Sequence, residues 1–389
     1  MGIFCLEPIC RKAQIRSIPI CYQGKLMSAP RFVKNVVNTC LRIGKGDRVT
    51  IFSWRHMIDL AEAFALECEK AGAMTLIELG TDKLYYQKAL DLPLEHLRES
   101  SPFSLALLEV ATANIFISGP EDPERLKLIS RDRLNAMIAA DKSYYDRLLE
   151  KTLRSAYITL GYVTPQRAKT YGIDYHKWRE NIQAAMDVRY QEMEKLGKKI
   201  AGMLEKANEA HLTTAKGTDL TLKLEGRAAM VNDGVIDDED IEKGADFIAL
   251  PAGHVAVVPK ESSANGVYIS DVPEAEQGVF IRDIVWKFKD GKLASFGGGE
   301  NAECVKAIWN EARGDKHQVG SLLIGLNPEA KIGFLYNPIV LGTATLSLGD
   351  NRELGGKVES SFAFHCTVTE PSVELDGKLV MKRGKLLIH

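Results

Sequence analysis

Long apolar runs are scarce in this 389-residue chain. The longest, Leu105–Ile117, is too short to cross a bilayer and carries Glu109, so no membrane span is expected. Dense basic runs are missing too. Lys and Arg number 50 against 52 acidic residues, a net charge of −2, which argues against a nucleic-acid partner held by counterion release. The seven cysteines include no CxxC pair, so neither a zinc ribbon nor a disulfide framework is indicated. No apolar core follows the first charges, so no signal peptide is expected, and Leu6 occupies the place where a myristoylation signal needs Ser or Thr. No GxGxxG follows the first strand-like segment, which removes the dinucleotide fingerprint. What remains is an ordinary cytoplasmic globular composition, 45% hydrophobic and 26% charged, in a chain long enough for two domains.

The first half alternates. β-branched segments at Arg48–Trp54, Ala73–Leu79, Ala113–Gly119 and Ser155–Gly161 are separated by helical stretches such as His56–Ala71 and one from Asp122. Such alternation predicts an α/β domain with a mostly parallel sheet over residues 1–175. Thr164-Pro165 is a helix-start signal, leading into one long linking helix over about Tyr175–Ala207. Its Ile182, Met186, Met193, Leu196, Ile200 and Leu204 recur at helical spacing and form a packing stripe. From residue 176 onward the linking helix and a β-rich domain are expected. There Thr218–Arg227 and Gly278–Phe296 alternate, and Asp290-Gly291, Asp376-Gly377 and Arg383-Gly384 have hairpin-turn chemistry. Gly297-Gly298-Gly299 before a helix over Asn301–Ala312 reads as a strand-to-helix turn.

One histidine stands out. In LPAGHVAVVP a Pro-Ala-Gly turn delivers His254 to the mouth of an apolar strand, aimed at a cavity. A lone histidine there is usually a hydrogen-bonded loop residue, so its meaning depends on partners elsewhere.

Several second-half segments together resemble the thermophilic metallo-aminopeptidases, the aminopeptidase T and aminopeptidase S family. They are GTDLTLKLEGR, LPAGHVAVVPKESSANGVYISD, IGLNPEAK, LGTATLSLGDN, GGKVESSFAFH and PSVELDGKLVMKRGKLL, in the family's order. The resemblance is clear from about Thr164 and weaker before it. It implies a two-domain fold, α/β plus a β-rich second domain carrying the site, and a homodimer that encloses the cavity. It also implies a pair of co-catalytic metal ions.

The positions that match the family's metal motifs carry other residues here. The resemblance places a glutamate at His254, another at Ser321, a histidine at Thr345 and a tyrosine at Arg352. The closing His-x-Asp pair falls on His365 and Thr367. Three acids are thus replaced and one arginine is gained. A two-metal centre needs oxygen anions to offset two dications. Even two unit positive charges about 6 Å apart repel by roughly 3 kcal/mol at an effective dielectric near 20. Arg352 cannot shed its proton to relieve this.

Three readings follow. In the favoured one the scaffold acts on a small anionic substrate without a metal. Arg352 clamps a carboxylate or phosphate, His254 and His365 serve as acid and base, and Ser321, Thr345 and Thr367 supply hydroxyls. In the second, His254 and His365 hold a single iron or zinc ion with an acid such as Asp271, Glu300 or Glu303. A ring-opening dioxygenase branch with this fold is the precedent. In the third, the protein is an inert binding or structural homodimer.

Overall fold

The computed structural model describes residues 30–387 except 118 and 277. Cys5, Cys10, Cys21 and the amino-terminal signals considered above lie outside the described residues. Cys40, Cys68 and Cys366 are buried and free, and Cys304 is exposed and free.

In chain order the first strands are β1 (Arg48–Trp54), β2 (Met74–Gly80), β3 (Ala113–Ile117) and β4 (Arg154–Ile158). After the linking helices come β5 (Glu209–Thr213), β6 (Asp219–Lys223), β7 (Ala229–Asn232), β8 (Phe247–Leu250) and β9 (His254–Val257). Then follow β10 (Asn265–Ile269), β11 (Glu274–Glu276), β12 (Val279–Ile281), β13 (Val285–Lys289), β14 (Lys292–Gly297) and β15 (Val319–Gly325). The last are β16 (Ala344–Gly349), β17 (Ala363–Val368), β18 (Ser372–Leu375), β19 (Lys378–Lys382) and β20 (Lys385–Leu386).

The expected parallel sheet is present. Its order is β2-β1-β3-β4-β8, and every pair is parallel. β3 sits at its centre with all five residues buried, the pattern of a strand covered on both faces. The edge strand β8 comes from beyond residue 175, so a division at 175/176 cuts through this sheet. The second half forms an eight-stranded sheet, β14-β13-β10-β6-β5-β18-β19-β20, and a five-stranded sheet, β17-β16-β15-β9-β7. All their paired strands are antiparallel. A small β11-β12 ribbon stands beside them.

The single linking helix is a correction. Two helices, Tyr175–Met186 and Tyr190–Lys206, meet at a break around Asp187. The apolar stripe passes through the break in phase, so periodicity could not reveal it. Asp187, a poor helix former, instead accepts hydrogen bonds from Arg31 Nε at 2.7 Å and Asn35 Nδ2 at 2.9 Å. The three hairpin turns form as expected, each residue before the glycine having a positive φ. Gly297–Gly299 is a strand-to-helix turn. Gly299 donates its N–H to the Arg282 carbonyl, and a Cβ on Gly298 would lie 2.6 Å from Ala302 Cβ.

Candidate active site

Strand alternation gives the five-stranded sheet two unlike faces. Val255, Val257, Leu322, Ile324, Ala344, Leu346, Cys366 and Val368 fill the core on one side. The register then places His254, Thr345, Ser347, His365 and Thr367 on the other, with Ser347 opposite His365 and Thr345 opposite Thr367. Ser321 joins them across an irregularity in β15, its hydroxyl 2.8 Å from that of Ser347. A polar floor therefore lies over an apolar core.

The turn that delivers His254 is held by the asparagine of IGLNP. Asn327 is fully buried, and its Nδ2 donates to the carbonyls of Ala185 at 2.8 Å and Ala252 at 2.7 Å. Its Oδ1 accepts from the backbone N–H of Glu329 and of Ala330. Gly253 has φ +134°, and a Cβ there would lie 2.8 Å from both Asn327 Cβ and Met193 Sδ. Only glycine can make this approach without displacing either neighbour.

His254 is half-buried and its Nδ1 is buried with no hydrogen-bond partner; the same holds for Oδ1 of Asn232, the residue opposite it in β7. Burial, with a further contribution from His365, pushes the His254 pKa down to about 4, so the ring is neutral near pH 7. His365 is exposed at the other side of the floor. Its Nε2 lies 4.0 Å from Oε2 of Glu274, a buried carboxyl on β11.

Glu274 was not singled out from the sequence. Its Oε1 accepts the Thr367 N–H at 2.9 Å and its Oε2 accepts from Asn337 Nδ2 at 3.2 Å. Burial raises its pKa, while His365 and these donors act in the opposite direction. Burial also raises the pKa of Glu276, two residues along the ribbon and likewise sensed by His365. A signal existed in the alternation of EAE, but the pairing with His365 is long-range and no local pattern announces it.

The structure redistributes the other expected residues. Arg352 is turned out to the surface, its Nε 2.9 Å from Asp350 Oδ2 and its Nη1 3.2 Å from Glu359 Oε1. Flanking carboxylates satisfy the guanidinium locally, so it does not join the two histidines as an anion clamp. Ser321, Thr345 and Thr367 are in place but buried, and Thr345 and Thr367 share a 3.0 Å hydroxyl contact. They form the floor itself. Of the acids considered as a third metal ligand, Asp271 is taken by the backbone and hydroxyl of Thr369. Glu300 pairs with Arg282 and Glu303 with Lys306 at the surface.

A two-metal centre does not fit these residues. Among the described residues no group of three or more His, Cys, Asp and Glu side chains is arranged to hold a metal ion. The hydroxyls at the positions in question are directed at one another.

With this fold, the chain belongs to the thermophilic metalloprotease (M29) family, whose pattern it matches over residues 28–325. Among solved structures it is similar to wild-type AmpT from Thermus thermophilus. That match has a TM-score of 0.72 at 16% identity, covering 93% of this chain and 99% of that one. It is also similar to the 2,5-dihydroxypyridine dioxygenase from Pseudomonas putida, with a TM-score of 0.61 at 14% identity, covering 93% and 97% of the two chains. At such identities both likenesses establish the fold. No curated protein matches the sequence. Among the described residues no helix is long and apolar enough to cross a membrane.

Proposed function

We propose that this M29 family member uses His365, Glu274 and His254 for acid–base chemistry on a small polar substrate, with no step that depends on a metal pair. The observation that supports this most is the buried Glu274 carboxyl beside the exposed His365, opposite a histidine that burial keeps neutral. Titratable groups whose surroundings drive them apart are the usual basis for separate acid and base roles. His365 is the group substrate can reach. At 4.0 Å from Glu274 it is too far for a direct hydrogen bond, which leaves its ring nitrogen open to a substrate. Neutral His254 offers one ring nitrogen as an acceptor, in a pocket where its Nδ1 still lacks a partner. The polar floor of Ser321, Thr345 and Thr367 positions these groups, and half-buried Ser347 presents a hydroxyl beside His365.

The anionic substrate expected from Arg352 loses its cation here, so the reading is restricted to a polar substrate. A homodimer remains part of it. Met230 stands 45% exposed on β7, on the same face as His254, where a second copy of the chain would cover it.

One observation favours a second reading, a single metal ion held by His254 and His365. It is the orphaned Nδ1 of His254. Activity against a panel of small amides and esters separates the two. The acid–base reading expects turnover that survives dialysis against chelator and is lost in His365→Ala. Turnover abolished by chelator and restored by one equivalent of iron or zinc would reject it in favour of the metal.

A further inference from the structure

The carboxyl edge of the parallel sheet carries a feature that the histidine site leaves unused. From β1 the chain moves outward to β2, then crosses to the other side of β1 to form β3. The strand order therefore reverses between β1 and β3, and it is outside the carboxyl ends of the strands at such a point that open α/β sheets bind ligands in a crevice. Trp54 closes β1, and Gly119 lies two residues beyond the end of β3.

Arg167 projects into this region from the first turn of the helix Pro165–Tyr171. Its guanidinium lies 4.4 Å over the Tyr162 ring, and Nη1 donates to the Tyr162 carbonyl at 3.2 Å. A Cβ on Gly119, which has φ +111°, would lie 2.6 Å from the Tyr162 ring and 3.2 Å from Arg167 Nη1. The wall continues through Tyr157, whose hydroxyl is 2.7 Å from that of Tyr162. From the second domain, Tyr336 reaches across to Thr159, close to Tyr162 and Arg167.

Two observations mark the place as unfinished. Arg167 is half-buried, burial lowers its pKa, and the titratable groups that act on it are all tyrosines, with no acid among them. A guanidinium has five N–H donors, and among the described residues one hydrogen bond is formed here. Independently, Trp54 is only 6% exposed, and its buried Nε1 has no hydrogen-bond partner. Its ring packs edge-on against Tyr85 at 5.2 Å. A partly desolvated cation with no acid acting on it among the described residues and a buried, unused indole donor thus both lie at this end of the sheet, among tyrosines.

We propose that this crevice binds a small organic anion, its carboxylate or phosphoryl group on the free edge of the Arg167 guanidinium and its flat apolar body against the aromatic wall. The stacked guanidinium presents the fork that takes such groups bidentately. The aromatic rings favour a planar body over a bare inorganic ion. The proposal goes beyond the reading of His254 and His365 and shares none of their residues.

The test uses the full chain with benzoate and phenyl phosphate as probes, against sodium chloride at matched ionic strength. At least one probe is expected to raise the melting temperature saturably and to alter Trp54 fluorescence, taken as the difference from Trp54→Phe. Arg167→Gln is expected to weaken that binding at least tenfold, whereas Arg189→Gln, on a surface arginine, leaves it unchanged. Arg167→Lys, which keeps stem and charge, is expected to weaken it as well and serves if the Gln variant fails to fold. No saturable effect from either probe, or an equal effect in the Arg167 variants, would overturn the proposal. Because His254 and His365 stay intact throughout, failure here leaves the catalytic reading untouched.

Discussion

Lowering the pH should destabilise this protein through His254 in a way its replacement removes. Above the ordinary histidine value of 6.5 the ring is neutral in both the folded and unfolded states and contributes nothing to pH dependence. Below it the unfolded chain takes up a proton first, because burial holds the folded value down to about 4. Stability is therefore full above 6.5, falls as pH drops toward 4, and levels off below that. Each pH unit in this window contributes about 1.4 kcal/mol. Between pH 7 and pH 5 the loss attributable to His254 is then about 2 kcal/mol, and completing the window brings it to about 3 kcal/mol. The groups facing the ring are His365 across the floor and Asn232 on β7, with Glu274 beyond His365. Urea unfolding of the wild type and His254→Gln at pH 7, 6 and 5 isolates this contribution, since most other carboxyl groups titrate alike in both. The difference between the two proteins should shrink by about 2 kcal/mol at pH 5, because the neutral variant pays no such penalty. A difference that stays constant with pH, or a His254 resonance titrating near 6.5, would refute the burial argument.

Asn327→Ala should be among the most damaging single changes. It removes four hydrogen bonds to backbone groups, three of them buried, at roughly 1 kcal/mol each, a loss of about 4 kcal/mol measurable by the same unfolding experiment, and it frees the turn that aims His254. Arg352→Ala should leave both melting temperature and turnover nearly unchanged, since the arginine is itself exposed and its ion pairs with Asp350 and Glu359 are solvent-screened. Loss of activity in that variant would return the arginine to the site. Glu274→Gln keeps the shape of the side chain, and should shift the pH profile of turnover while leaving substrate KM close to the wild-type value. A pH profile identical to wild type would remove Glu274 from the chemistry.

The strands of the parallel sheet were legible because each is a short β-branched run between helical stretches, and β1 matches its segment residue for residue. Hairpins were legible for a similar reason, since Asp-Gly and Arg-Gly pairs have few other uses between alternating strands. β8 was not, because four residues with alternate burial give little signal, and only the sheet reveals that they complete it. Asp187 broke the linking helix through contacts with Arg31 and Asn35, more than 150 positions away in the chain. The site divides along the same line. His254, His365 and the hydroxyl floor followed from motif positions, whereas Glu274 reaches His365 from 91 residues upstream, across separate strands. Arg352 was misplaced although its answer was local. Asp350 lies two residues before it, and that carboxylate takes the guanidinium.

In the proposed function His254 and His365 work as an acid–base pair with Glu274 rather than as metal ligands. Metal analysis of the purified chain, alongside turnover before and after chelation, tests it most directly. Well under one equivalent of zinc, cobalt or iron and unchanged turnover are expected. A full equivalent of one metal, lost together with activity in both His254→Ala and His365→Ala, would contradict it.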